Sequence, residues 1–204
     1  MKIGVLGGTF DPPHIGHLVI AQEAMDYLGL ERVIFAPARQ PPHKLDQRIT
    51  PIEDRLEMVR LAIVSQPRFT LSHVDVNREG PTYTVHTMRL LRQQCGDDSD
   101  LYFIMGMDSL ANILTWHKPE ELIKFCRLAV FNRPGFGVNL EMLEEKLPGL
   151  RASIVMIPAP SLDIAASDLQ RRIRADKPIA HLVPEAVAAY ISARGLYRGR
   201  SMES

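Results

Sequence analysis

The chain has 204 residues, 46% of them hydrophobic, and its 24 Lys and Arg residues balance its 24 Asp and Glu residues. That length suits one full-sized core, so a single domain over 1–204 is expected. The even charge removes any global argument for a nucleic-acid or membrane partner, so a bound anion has to be held locally. Cys95 and Cys126 lack a CxxC spacing, the opening residues show no basic n-region, long apolar stretch or cleavage signature, and no apolar run nears the about 18 residues that span a bilayer. A reduced, cytoplasmic protein is the expectation, with homo-oligomerisation left open.

Short apolar runs at 2–6, 32–37, 68–74, 100–105, 127–132 and 153–158 read as strands. After the first, Leu18, Ala21, Met25 and Leu28 repeat with helical spacing, and Gly29 supplies a stop. Thr50, Pro51 and Glu53 predict a capping box, followed by a buried stripe of Ile52, Leu56, Val59 and Ile63. Further helical patterns fall at about 82–94, 108–125, 139–147 and 166–174. A last helix opens at Pro184 and ends at Gly195. Strand alternating with helix predicts an α/β fold, with a mainly parallel sheet covered on both faces. Polar, proline-rich loops sit at 37–51 and 75–82, and in such a sheet ligands bind beyond the carboxyl ends of the strands.

The stretch GVLGGTFDPPHIGHL at 4–18 is the most unusual in the chain. Gly7 and Gly8 follow the first strand, Thr9 offers a hydroxyl and an N–H, and Pro12 and Pro13 stiffen the approach to His14. Gly16 and His17 stand at the start of the next helix, whose free N–H groups and dipole attract anions. Neither GxGxxG nor a Walker loop is present. The histidine pair could also supply two zinc ligands, but no third ligand stands at an evident spacing and zinc would leave the glycines unexplained. A phosphate cradle accounts for the whole set.

GGTFDPPHIGH resembles the GGxFDPxHxGH signature of the HxGH nucleotidyltransferase superfamily. PPHK at 41–44, REGPTYT at 78–84, GMDSLANILTWH at 106–117, NRPGF at 132–136 and GLYR at 195–198 extend the similarity, over nearly the whole chain, to bacterial nicotinate-nucleotide adenylyltransferases. The resemblance implies a Rossmann-like sheet of the adenine nucleotide α-hydrolase-like nucleotidyltransferase fold. It also implies adenylyl transfer from ATP to nicotinate mononucleotide, with Mg2+ on the triphosphate and no protein metal cage. It assigns His17 and His14 to catalysis, and Gly7, Gly8, Thr9, Phe10, Gly106, Asp108 and Arg133 to ATP. Lys44, Thr84, Trp116 and His117 fall to the mononucleotide. Read as residues alone, Asp11 fits an Asp-Pro turn as well as a place near the metal, Asp108 fits a helix cap, and Trp116 fits the core. Arg133 and Lys44 equally fit solvated surface charge.

The match departs at IAASDLQRRI, 164–173. Family members carry an ISxT-type turn and then an arginine that grips phosphate. Here Ser167 keeps the last hydroxyl, Gln170 occupies one arginine position, and Arg172 or the adjacent Arg171 is left to fill the role. Transfer to nicotinamide mononucleotide, a pantetheine-phosphate or cytidylyl transferase, and a non-catalytic nucleotide-binding module remain as alternatives.

Overall fold

The computed structural model describes residues 1–45, 47–76, 78–132, 137–159 and 164–198, with the His43 side chain left out. Six strands form one parallel sheet: β1 (Lys2–Gly8), β2 (Arg32–Pro37), β3 (Phe69–Leu71), β4 (Asp100–Gly106), β5 (Arg127–Asn132) and β6 (Ile154–Pro158). Their order across the sheet is β3-β2-β1-β4-β5-β6, so the winding reverses between β1 and β4. Successive residues of each strand face opposite ways and feed two cores. Leu6, Phe35, Ile104 and Phe131 enter one; Val5, Ile34, Phe103 and Val130 enter the other.

The first core is covered by α1 (Ile15–Leu28), α2 (Ile52–Ile63), α8 (Ala166–Arg174) and α9 (Glu185–Arg194). The second is covered mainly by α3 (Thr84–Cys95), α4 (Met107–Ala111), α5 (Pro119–Phe125), α6 (Leu140–Lys146) and α7 (Leu150–Ser153). All six strands lie where the apolar runs put them. β3 is shortened to three residues, and α7 carries no sequence signature at four residues.

Two helix expectations need correction. Thr50 does not cap α2: Pro51 is the N-cap residue, and the Thr50 N–H and C=O instead bond Asp11 and Arg55. The buried stripe of α2 is Asp54, Arg55, Met58, Val59, Ala62 and Ile63, so two charged residues sit where Ile52 and Leu56 were expected. The pattern over 108–125 breaks into α4, a 3-10 turn at Ile113–Thr115 and α5. Pro119 causes the second break: it has no N–H to give the preceding turn and disfavours helical backbone at Lys118, which takes φ 51°. Trp116 and His117 thereby fall on an extended loop.

The winding reversal opens a crevice. β1 and β4 pair from Lys2 with Asp100 as far as Leu6 with Ile104. Beyond that point β1 continues with β2 to Gly8, and β4 continues with β5 to Gly106. The carboxyl ends of the two central strands therefore part, with Gly7 and Gly8 on one lip and Gly106 on the other.

Candidate active site

The β1–α1 turn forms one wall of the crevice. Neither Gly7 nor Gly8 has positive φ; the left-handed residue of the turn is Phe10, at φ 51°. Both glycines sit in tight packing, since a Cβ on Gly7 would lie 3.1 Å from the Phe103 ring and one on Gly8 3.2 Å from the Phe10 ring, and either ring would have to shift to admit it. Phe10 is 2% exposed and lies edge-on to His17 at 4.9 Å between ring centroids. Its side chain is core, so only its main chain can meet a ligand.

His14 is the N-cap residue of α1, and its ring stacks on that of His17 with centroids 3.7 Å apart. The main-chain N–H of His14 donates to His17 Nδ1 at 3.1 Å. That bond fixes the neutral tautomer of His17, leaving its proton on Nε2 as a donor. Burial lowers the His17 pKa well below its ordinary value, and the neighbouring His14 lowers it further. His14 is 7% exposed, and burial pulls its pKa down to about 4. Charging both stacked rings would cost about 4 kcal/mol in mutual repulsion at an effective dielectric of 20. Without an anion beside them, both imidazoles are neutral at pH 7.

The main-chain donors of the turn complete this wall. The first N–H of α1, at Ile15, is taken by the Leu182 carbonyl, and the His17 N–H bonds the His14 carbonyl. Among the described residues the N–H groups of Thr9, Phe10 and Gly16 have no acceptor. The turn therefore presents N–H dipoles and the His17 Nε2–H rather than formal charge.

Asp11 supports the turn from within. It is 5% exposed, and its carboxylate accepts from the Tyr197 hydroxyl at 2.6 Å and the Thr50 N–H at 3.1 Å. These bonds give Asp11 a structural role in holding the turn against α2 and the carboxyl-terminal segment.

On the opposite lip, Gly106 is the N-cap residue of α4 and Asp108 lies within the first turn. The capping alternative fails, because the Asp108 carboxylate caps nothing and folds back over Gly106, where a Cβ would lie 2.5 Å from its Oδ1. Asp108 is exposed at the crevice edge.

α8 reaches the same turn. Gln170 Nε2 donates to the Asp11 carbonyl at 2.7 Å, so the residue at the family's arginine position braces the turn. Ser167, three residues earlier and thus on the same side of the helix, is exposed, and the Ala166 and Ser167 N–H groups have no partner among the described residues. The Arg172 guanidinium bonds the Pro178 carbonyl at 2.9 and 3.1 Å, in the segment that follows α8. Arg171 pairs with Asp168 at 2.8 Å. Arg133, and NRPGF beyond Asn132, lie outside the described residues.

Of the residues expected at the mononucleotide, Thr84, Trp116 and His117 lie together, joined by the Tyr83–His117 stack. Trp116 is half-buried and meets the Phe103 ring edge-on at 6.0 Å, and that ring is the one that closes over Gly7. His117 stacks on Tyr83 at 4.3 Å, with His86 edge-on to both. Tyr83 is the N-cap residue of α3, followed by Thr84, and the Thr84 and Val85 N–H groups have no partner among the described residues. Lys44 ends a 3-10 turn in the loop after β2, half-buried, its amine unpaired among the described residues. Tyr83, His86, Arg55 and Tyr197 went unnoticed as site residues. For Arg55 there was a signal, since it stands three residues after Ile52 and four before Val59, on the apolar side of α2.

Two other cavities, about 310 Å³ below the amino ends of β4 and β5 and about 550 Å³ beside β3, contain none of these residues.

Residues 5–172 match the family described as cytidylyltransferase-like. A relative from Thermomicrobium roseum, named "Probable nicotinate-nucleotide adenylyltransferase", is 45% identical over 97% of this chain and 92% of its own. The chain belongs to the nicotinate-nucleotide adenylyltransferase family. A second relative of the same name, from Dehalococcoides mccartyi, is 44% identical over 97% of both chains. Among solved structures, Plasmodium falciparum nicotinic acid mononucleotide adenylyltransferase complexed with NaAD superposes with a TM-score of 0.77 at 19% identity, covering 96% of this chain and 97% of that one. That likeness establishes the nucleotidyltransferase fold.

Depressed imidazole pKa values make stability depend on pH. The unfolded chain protonates His14 near 6.5 while the folded chain resists until about 4, so the unfolded state binds more protons in that window and stability falls as pH drops through it. His14→Gln should lose about 2 kcal/mol less than the wild type between pH 7 and pH 5 in urea titrations. Equal losses would contradict the buried, neutral state of His14.

Proposed function

We propose that the protein transfers the adenylyl group of ATP to nicotinate mononucleotide, giving deamido-NAD and pyrophosphate in NAD biosynthesis, as a single-domain cytoplasmic enzyme. The observation that supports this reading is that two unlike clusters flank one ring, Phe103, which lies against Gly7 and meets Trp116 edge-on. A phosphate-accepting turn with the His17 Nε2–H lies at the end of β1, and an aromatic cluster with free helix N–H groups lies beside the Trp116 loop. No helix of the described residues is long and apolar enough to cross a membrane, in keeping with a soluble enzyme.

The mononucleotide phosphate oxygen attacks the α-phosphorus in line, the bond to the bridging oxygen breaks, and pyrophosphate leaves with that electron pair. The nucleophile is already an anion, so no protein base is required, and the chain's task is alignment and charge stabilisation. His17 Nε2–H donates to the phosphoryl oxygens as negative charge grows, and the His14 N–H on Nδ1 holds that ring in register. The main-chain N–H groups of Thr9, Phe10 and Gly16 hold the triphosphate, with Gly7 and Gly8 letting it approach the strand end and Ser167 and the α8 terminus as a further anchor. The Asp108 carboxylate accepts from the ribose hydroxyls.

Trp116 offers a face to the pyridine ring, and Lys44 reaches the mononucleotide phosphate. The Thr84 and Val85 N–H groups, at the positive end of α3, meet the nicotinate carboxylate together with His117. The neutral amide gains less from those donors. The described residues hold no cluster of three His, Cys, Asp or Glu side chains positioned for a metal, so Mg2+ would ride on phosphate oxygens and water. Its contribution would be to neutralise triphosphate charge.

Pyrophosphate release from ATP with each mononucleotide in turn tests this reading. Release is expected with the acid and much less with the amide. Faster release with the amide would reverse the substrate assignment, and none with either would leave a nucleotide-binding module. His17→Ala should remain folded and lose about 10² to 10³ in kcat, the usual cost of one donor at such a site; wild-type turnover would overturn its role.

A further inference from the structure

Arg55 is the largest side chain in the fully buried set, 1% exposed, on the face of α2 that otherwise packs Met58, Val59 and Ala62. Four of its five N–H donors are used, and every acceptor is a main-chain carbonyl. Nε donates to Thr50 at 2.8 Å, one terminal nitrogen to Thr9 at 2.8 Å and Ala38 at 2.7 Å, and the other to Arg39 at 2.9 Å. Thr9 belongs to the β1–α1 turn, whereas Ala38, Arg39 and Thr50 are the two ends of the loop that carries Lys44. The connection runs on, because Arg39 donates to the Arg78 carbonyl at 3.1 Å. Gln40 and Thr82 also exchange two hydrogen bonds, at 2.8 and 3.2 Å, two residues before Thr84.

The charge is kept in place from nearby. Burial lowers the Arg55 pKa, and the buried Asp11 carboxylate works against that shift. Such a cation is weak evidence for stability as such, since an apolar side chain packs a helix face at less desolvation cost. What an apolar residue cannot do is fix four carbonyls. A lysine cannot either, because its ammonium is a point donor without the planar fork. Fixing the Thr9 carbonyl also fixes its neighbour: in a planar trans peptide, C=O and N–H point in opposite directions. The Phe10 N–H is thus turned away from Arg55, and among the described residues it has no acceptor.

We propose that Arg55 is a positioning residue that sets the phosphate turn and the two mononucleotide-side loops as one unit, so that both nucleotides register against each other. It touches neither substrate. The proposal rests on the two-nucleotide reading above for its kinetic consequence, but its mechanical content, a coupling between residues 8–11, 38–41 and 80–84, stands without turnover.

The test joins amide hydrogen exchange with kinetics. In the wild type, a non-hydrolysable ATP analogue alone should slow exchange at 8–11 and, through Arg55, at 38–41 and 80–84. In Arg55→Lys those three segments should exchange faster together while β5 and α9 stay unchanged, and the analogue should no longer protect 38–41 and 80–84. Turnover should fall by about 10²-fold in kcat/KM, with KM raised for both nucleotides, and guanidinium ion should partly restore a folded Arg55→Ala variant. Protection confined to 8–11 in the wild type would overturn the proposal, whether or not any variant folds. So would uniform acceleration over the whole chain in Arg55→Lys, a rise in only one KM, or kcat/KM within twofold of wild type. A wild type that releases no pyrophosphate would defeat the proposed reaction and leave the exchange experiment to decide the coupling.

Discussion

The end of pairing between β1 and β4 is the constraint on which the site depends. Parallel strands that stay bonded leave no space between them. Here the ladder stops at Leu6 and Ile104 while each strand continues with its outer neighbour. The gap is a consequence of topology, because the chain winds one way from β1 and the other way from β4. Phe103 and Phe10 occupy the spaces that side chains at Gly7 and Gly8 would need, so the strand end lies flush against its core. The same Phe103 ring meets Trp116, tying the β1–α1 turn and the Trp116 loop to one piece of packing.

The site is polarised by dipoles, with the formal charges set behind it. The stacked imidazoles of the β1–α1 turn are held neutral by burial, with His14 adding to the effect on His17, and His17 offers Nε2–H because Nδ1 is already occupied. Arg55 and Asp11 supply buried charge of both signs, turned inward to main-chain and hydroxyl groups of the supporting loops. Such a seat is fixed before any ligand arrives and needs little rearrangement when charge develops on a phosphoryl group.

All six strands were legible because parallel strands buried on both faces are nearly continuous apolar runs, as in RVIFAP and RLAVFN, whose bounds coincide with β2 and β5. The phosphate turn was legible because its glycines, prolines and histidines have no reason to coincide elsewhere. The packing behind its glycines was not legible, since the tight fit of Gly7 against Phe103 depends on a residue distant in the sequence. The break at Pro119 could have been read from the proline itself and was masked by the apolar spacing around it. The capping box at Thr50 failed because tertiary partners, Asp11 and Arg55, claimed that residue's main chain. Arg172 could not be assigned from spacing, since its partner, Pro178, is fixed by how the chain leaves α8.

The most direct measurement is a crystal structure with a non-hydrolysable ATP analogue. The account predicts the triphosphate in the crevice between Gly8 and Gly106, with a phosphate oxygen about 3 Å from His17 Nε2 and His17 Nδ1 still bonded to the His14 N–H. An analogue bound elsewhere, or seated there with neither imidazole within hydrogen-bond reach of a phosphate, would contradict it.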